Sequence, residues 1–346
     1  MTTATETEIK EQPQAWAKTF DRFRSDGENI RATLEGFADK RLVFTGCGTS
    51  YYLALSAASA WTGIAGRVAR AVTASDVFLH PSSLFSRTGK PAGIVISRSG
   101  ETTEAVRAAE LLGKEMDAET VAVTCQQDSQ LAGICRRTLV AEAAEKSVVM
   151  TKSFTSMLLL LECLAATEAG NDELLEELAS LAARCQELIP QVDDRAREIA
   201  QLDALDHFVF LGQGPFYGLA CESMLKTKEM SLSASEAFHT LEFRHGPVST
   251  VTDESLVVLL LSDTAREQEL KVLQDVQRLG ATTMVIGDDL KGVAVDFAFD
   301  LQSGLPDVVR LPLYMPITQL LAYHRARHKG LDPDNPKNLT QVVVLE

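Results

Sequence analysis

Two short segments concentrate the residue types that bind charged ligands: Gly46-Cys47-Gly48-Thr49-Ser50 and Ser97-Arg98-Ser99-Gly100-Glu101-Thr102-Thr103. Each follows an apolar, β-branched run and precedes a helical pattern, so each reads as a strand-to-helix turn. Glycines let backbone approach a ligand closely, a helix N-terminus offers unpaired N–H groups, and hydroxyls add neutral donors. That combination suits a phosphate monoester. Taken singly, the same serines and threonines would serve as helix N-caps. Two hydroxyl-dense turns on one sheet edge favour the anion reading. Neither Gly-x-Gly extends to Gly-x-Gly-x-x-Gly, so a dinucleotide is set aside and no cofactor is expected.

A second group lies at Lys226-Thr227-Lys228-Glu229 and Arg244-His245-Gly246-Pro247. Lys226 and Glu229 are three apart on a predicted helix and share a face. On composition alone they form a surface ion pair, worth less than ~1 kcal/mol. A glutamate and a histidine are also the types needed to move a proton between neighbouring carbons and to open a sugar ring. Gly246-Pro247 ends the preceding element and leaves His245 on a turn, where a structural role competes with a catalytic one. His324 and His328 stand at i, i+4 without a cysteine or carboxylate nearby, so they read as partners of a helix C-terminus and no metal site is expected.

The elements that must position these residues repeat. Arg41–Tyr52 aligns with His207–Gly218, placing Gly46 and Gly48 on Gly212 and Gly214 at an offset of 166. Gly93–Thr102 aligns with Val258–Glu267 at 165, with Ser97 on Ser262. Thr120–Thr124 against Thr282–Ile286 continues the register. In the second copy Ser262-Asp263-Thr264-Ala265 lacks the glycine and gains an acid, so that copy is expected to bind phosphate poorly. Helices are predicted at 56–60, 104–112, 153–166, 220–230, 266–279 and 316–327, alternating with strands. The fold class is therefore α/β, with two tandem lobes, each a doubly wound parallel sheet flanked by helices and binding ligands at its carboxyl edge. The expected division is a helical arm over 1–35, a first lobe over 36–170, a helical connection over 171–202 and a second lobe over 203–346.

Length and composition agree: 346 residues with 45% hydrophobic and 23% charged residues suit two globular domains. A net charge of −15 argues against nucleic acid. No apolar run approaches the ~20 residues a membrane span needs. The N-terminus, with Glu6, Glu8 and Glu11, does not resemble a signal peptide. Six scattered cysteines fit reduced thiols, so the expected location is the cytoplasm.

With these motifs in order (Cys47–Ser50, Ser97–Thr102, Thr151–Thr155, Lys226–Glu229, His245–Pro247 and Pro336–Leu339), the chain resembles the sugar isomerase (SIS) domain family. It looks specifically like the isomerase half of glutamine:fructose-6-phosphate aminotransferase and its relatives, the amino-sugar-6-phosphate deaminases and isomerases. Glu11–Trp16 also looks like the opening of the tagatose/galactosamine-6-phosphate isomerase branch. The resemblance implies that Gly48, Thr49 and Ser50 line a sugar pocket and that Ser97, Arg98, Ser99 and Thr102 hold a phosphate. Thr151, Lys152 and Ser153, with Val148 nearby, would complete the wall. Glu229 would be the proton-shuttling base, Lys226 its support, and His245 the ring opener, donated by the neighbouring subunit of a homodimer. Two departures matter. No glutaminase segment precedes the first lobe in this sequence, and Gln341 stands where the aminotransferases carry a lysine that forms a Schiff base, which an amide cannot do. Both favour an amino-sugar-6-phosphate deaminase/isomerase working through an enediol or enolamine. A non-catalytic sugar-phosphate sensor and a fructosamine-6-phosphate deglycase are the alternatives.

Overall fold

The computed structural model describes residues 2–85 and 90–343; Met1 and residues 344–346, the ends of the expected arm and second lobe, lie outside them. Helices α1 (Ala4–Lys10), α2 (Gln12–Ser25) and α3 (Gly27–Phe37) lead into β1 (Arg41–Gly46), α4 (Thr49–Ala65), β2 (Ala69–Thr73), α5 (Ala74–Leu79) and α6 (Pro81–Leu84). Then come β3 (Pro91–Ile96), α7 (Thr103–Glu110), β4 (Glu119–Thr124), α8 (Gln130–Ile134), β5 (Arg137–Val140) and α9 (Lys152–Glu168). After α10 (Asp172–Ala200) follow β6 (His207–Gly212), α11 (Phe216–Ser231), β7 (Ala234–His239), β8 (Ser255–Leu260) and α12 (Arg266–Arg278). Strands β9 (Thr282–Gly287) and β10 (Phe297–Asp300) and helix α13 (Leu311–His328) complete the chain. Two compact units result: 12–146, 152–180 and 340–343 hold β1–β5, while 2–11, 147–151 and 181–339 hold β6–β10.

The repeat is structural. Both sheets are parallel throughout and share one strand order, β2-β1-β3-β4-β5 and β7-β6-β8-β9-β10. Strands β3, β4 and β8 are buried along their whole length, as central strands of a parallel sheet covered on both faces must be. The paired glycines have paired reasons. A Cβ on Gly46 would lie 2.8 Å from the Ser50 carbonyl carbon, and one on Gly212 would lie 2.3 Å from the Phe216 carbonyl oxygen. Gly48 and Gly214 then turn the chain at φ of 52° and 56°, which side chains rarely adopt.

In the β1–β5 unit, Trp61 of α4 packs edge-on against Phe37 and Phe44 at 6.0 and 5.7 Å between ring centres. Helix α2 packs along α9, where the Trp16 indole N–H donates to Thr155 Oγ1 at 2.8 Å. In the β6–β10 unit the alternation of β6 sorts two layers. Val209 and Leu211 meet Val257, Leu259 and the apolar face of α12, whereas Phe208 lies under Arg325 of α13. Helix α11 packs along α13, with Phe216 edge-on to Tyr314 at 5.0 Å. Helix α13 starts at Leu311, earlier than the start expected at Pro316, which lies inside it. Proline there removes one backbone donor without ending a helix buried on nearly every side. Among the described residues no helix is long and apolar enough to cross a membrane.

Candidate active site

In the β1–β5 unit the two hydroxyl-rich turns become neighbours because Thr45 of β1 pairs with Val95 of β3, so both strands open onto the same carboxyl edge. Thr49 and Ser50 are buried at the start of α4. Ser97 Oγ accepts the Gly100 N–H at 3.1 Å, and Ser99 Oγ accepts the Glu101 N–H at 3.1 Å. Gly100 has φ of 69°, and a Cβ there would lie 2.1 Å from Ser129 Oγ, so this turn admits only glycine. Thr102 stands at the N-cap of α7 without a side-chain cap bond, and its Oγ1 instead accepts the Ser97 hydroxyl at 3.4 Å, which ties the two hydroxyls of the turn together.

Arg98 does not simply face outward from this turn. Its Nη1 pairs with Glu145 Oε2 at 3.1 Å, with side-chain exposures of 9% for Arg98 and 0% for Glu145. Glu145 also accepts the N–H of Ser153 at 3.1 Å and the Ser153 hydroxyl, pinning the start of α9. Arg98 Nη2 donates to the Gln341 carbonyl at 3.4 Å, and Gln341 Nε2 donates to the Glu145 carbonyl at 3.5 Å. A cavity of about 300 Å³ lies here, lined by Arg98, Ser99, Glu145, Gln341 and Val342 among its walls. Gly48, Thr49, Ser50, Ser97, Arg98, Ser99, Thr102 and Gln341 thus belong to one unit, as does Lys152 in the first turn of α9. Val148 and Thr151 group with the β6–β10 unit, where Glu8 accepts from Ser147 N–H at 3.2 Å and from its hydroxyl, and Gln319 donates to the Thr151 carbonyl at 3.3 Å. Neither Glu145 nor Glu8 stood out in the sequence, since only the fold brings each to its partner.

The second copy of the turn is occupied from within. Ser262 Oγ accepts the Ala265 N–H at 3.0 Å, mirroring Ser97, but Asp307 takes the Asp263 and Thr264 N–H groups at 2.9 and 3.1 Å. Buried Arg310 in turn holds Asp307 at 2.8 Å and Asp263 at 2.6 Å. The donors that would meet an anion are already used.

On α11, Glu222, Lys226 and Glu229 fall at i, i+4 and i+7, one above another. The sequence reading of Lys226 and Glu229 as a surface pair is corrected: Lys226 is 1% exposed and Glu222 0%, while Glu229 retains 19%. Lys226 Nζ bonds to Glu229 and reaches Glu222 Oε1 at 3.3 Å. Burial works against the ammonium, but the Glu222 and Glu229 carboxylates outweigh it and hold the Lys226 pKa above its ordinary value. The row is therefore a fixed cation with one carboxylate below it and one facing outward. Glu222 was overlooked, although its i−4 spacing from Lys226 was legible.

His245 is exposed after a 3-10 turn over Glu242–Arg244, followed by Gly246 at φ of 128°. Phe243 anchors that turn in the cluster of Val209, Leu211, Val257 and the α12 residues, and Arg244 binds Asp275 of α12 at 2.5 Å. No residue of α11 or α13 belongs to that cluster. His245 and Glu229 therefore stand on opposite faces of the β6–β10 sheet, and the structure does not bring them together. His324 and His328 are not simple helix-end partners: they bond Asp193 at 2.6 Å and Asp203 at 2.7 Å.

A duplicated five-stranded parallel sheet with hydroxyl-rich turns at one carboxyl edge defines a class, and the SIS domain signature matches residues 37–167; the chain belongs to the SIS domain family. Among solved structures it is similar to glucosamine-6-phosphate deaminase from Thermotoga maritima, at 32% identity and TM-score 0.80, covering 99% of this chain and 100% of that one. It is also similar to tagatose-6-phosphate ketose/aldose isomerase from Escherichia coli, at 26% identity and TM-score 0.87, covering 99% and 96% of the two chains. Glutamine–fructose-6-phosphate aminotransferase (isomerizing) from Shouchella clausii is 32% identical over 361 residues, covering 98% of this chain and 58% of that protein. The chain thus spans little more than half the length of the curated relatives it matches.

Proposed function

We propose that this chain is a phosphosugar isomerase acting on an amino-sugar 6-phosphate, releasing ammonia as the aldose becomes a ketose. The observation that carries this reading is the Glu222–Lys226–Glu229 row, in which a buried ammonium holds one partly exposed carboxylate in place. A proton shuttle between adjacent carbons needs a base of that kind, contributing about 10²–10⁴-fold in rate. In this reading Ser97, Ser99 and Thr102 hold the phosphate through neutral donors, and Gly48, Thr49, Ser50, Val148 and Lys152 line the sugar. His245 moves the proton that opens the ring. Glu229 then takes the C2 proton of the open aldehyde, leaving an enolamine, and returns it to C1. The resulting ketimine adds water at C2 and expels ammonia, leaving the ketose phosphate. Gln341 carries an amide, so no Schiff base forms there. The names of the Thermotoga and Escherichia relatives describe deamination and ketose/aldose exchange, the two parts of this sequence of steps.

The opposite-face placement of Glu229 and His245 supports a homodimer in which His245 serves the partner's sugar. Six free thiols accord with a cytoplasmic setting. The test is ammonia release, with parallel ketose formation, from glucosamine-6-phosphate and galactosamine-6-phosphate, beside Glu229→Gln. Ammonia from the wild type and none from the variant is the expected result. Turnover of non-amino hexose phosphates alone would reduce the reading to aldose–ketose exchange. Stabilisation by a sugar phosphate without turnover would make the protein a sensor.

A further inference from the structure

The cavity beside the Ser97–Thr102 turn is lined by one cation, Arg98, and by the carboxylates of Glu101, Asp128 and Glu145. Glu101 and Asp128 are exposed, where water and salt screen them. The Glu145 side chain is fully buried, and its charge meets Arg98 in a low-dielectric setting where pairing is strong. Of the guanidinium's donors, Nη2 is turned to the Gln341 carbonyl at the long distance of 3.4 Å. An Arg in a phosphate-binding turn ordinarily supplies charge-assisted bonds. Here that charge is cancelled before a ligand arrives.

We propose that Glu145 is a positioning residue that tunes the turn's affinity for phosphorylated ligands: by pairing with Arg98 it withholds the guanidinium charge and leaves the phosphate to amide and hydroxyl donors. The inference rests on the phosphate reading of the Ser97–Thr102 turn. It gives the site a reason to let go, because a dianion held by an unopposed buried guanidinium would leave slowly. Glu145 also fixes the first turn of α9 through Ser153, so one carboxylate sets both shape and charge.

The two roles predict opposite signs. If Glu145 only holds the turn in shape, Glu145→Gln weakens phosphate binding. If it withholds charge, the isosteric amide frees Arg98, and inorganic phosphate binds about tenfold more tightly with a steeper loss of affinity in salt. The experiment is calorimetric titration of the full chain with inorganic phosphate at two salt concentrations, for wild type, Glu145→Gln, Arg98→Gln and the double variant. We expect Arg98→Gln to bind more weakly than wild type and the double variant to return near it. Should Glu145→Gln fail to fold, Glu145→Asp takes its place: the shorter side chain draws the carboxylate back from Arg98, and tighter phosphate binding than wild type is again expected. Unchanged or weaker binding in these comparisons, with phosphate still bound by the wild type, overturns the inference alone. A wild type that binds neither inorganic phosphate nor a sugar phosphate removes the phosphate reading as well.

Discussion

Glu269 lies fully buried behind Ser262, and burial pushes its carboxyl from 4.5 up to about 7, against the pull of the Ser262 N–H and hydroxyl and with Asp307 adding to the rise. The folded protein therefore keeps this proton to higher pH than the unfolded chain does. Stability contributed by the protonated form is complete below pH 4.5 and is lost as pH rises to about 7. The loss is on the order of 3 kcal/mol. Glu269→Gln should remove this contribution, so urea unfolding at acid and neutral pH would show the variant losing less stability than the wild type as pH rises from 4.5 to about 7; parallel profiles would sink the assignment. At this scale the sequence was partly legible. The types and spacing of Lys226 and Glu229 were plain, but burial decides whether such a pair is decoration or a fixed charge, and burial depends on what packs against the helix. Arg98 makes the same point, since its partner Glu145 lies far along the chain.

Elements were easier to read than their ends. Strands such as β3 and β8 announce themselves as apolar runs, and the two Gly-x-Gly turns mark where each first strand must yield to a helix. The geometry explains why the first glycine of each pair is needed. Gly212→Ala would press a methyl against the Phe216 carbonyl oxygen at 2.3 Å, forcing α11 away from β6. A loss of roughly 3 kcal/mol is expected, as for other overpacked sites. Gly27→Ala, at a position with nothing within 4 Å, should cost little, and comparing their melting temperatures separates steric from general effects. Helix α13 was the less legible case, because a proline suggests a boundary, and only packing on all sides carries a helix past it. The N-terminal helices were expected as an arm, yet Trp16 and Phe20 are core residues of their unit. Composition shows apolar positions without showing which partner covers them.

At the scale of the whole molecule, duplication was legible from two offsets, and the matched strand orders bear it out. What became of the second copy was less so. Asp263 hinted that its turn had lost phosphate, but Asp307, which fills it, lies more than forty residues on and has no sequence mark. The placement of His245 was hidden for the same reason, because a turn's motif does not say which face of a sheet it will join. That placement has a genetic consequence. If each reaction centre draws Glu229 from one subunit and His245 from the other, two dead chains can make a live enzyme. Unfolding and refolding an equal mixture of Glu229→Gln and His245→Asn subunits should restore about one quarter of wild-type turnover, because half the dimers are mixed and each mixed dimer has one intact centre. Neither variant alone would recover, and a mixture that stays silent would place both residues in a single subunit's chemistry.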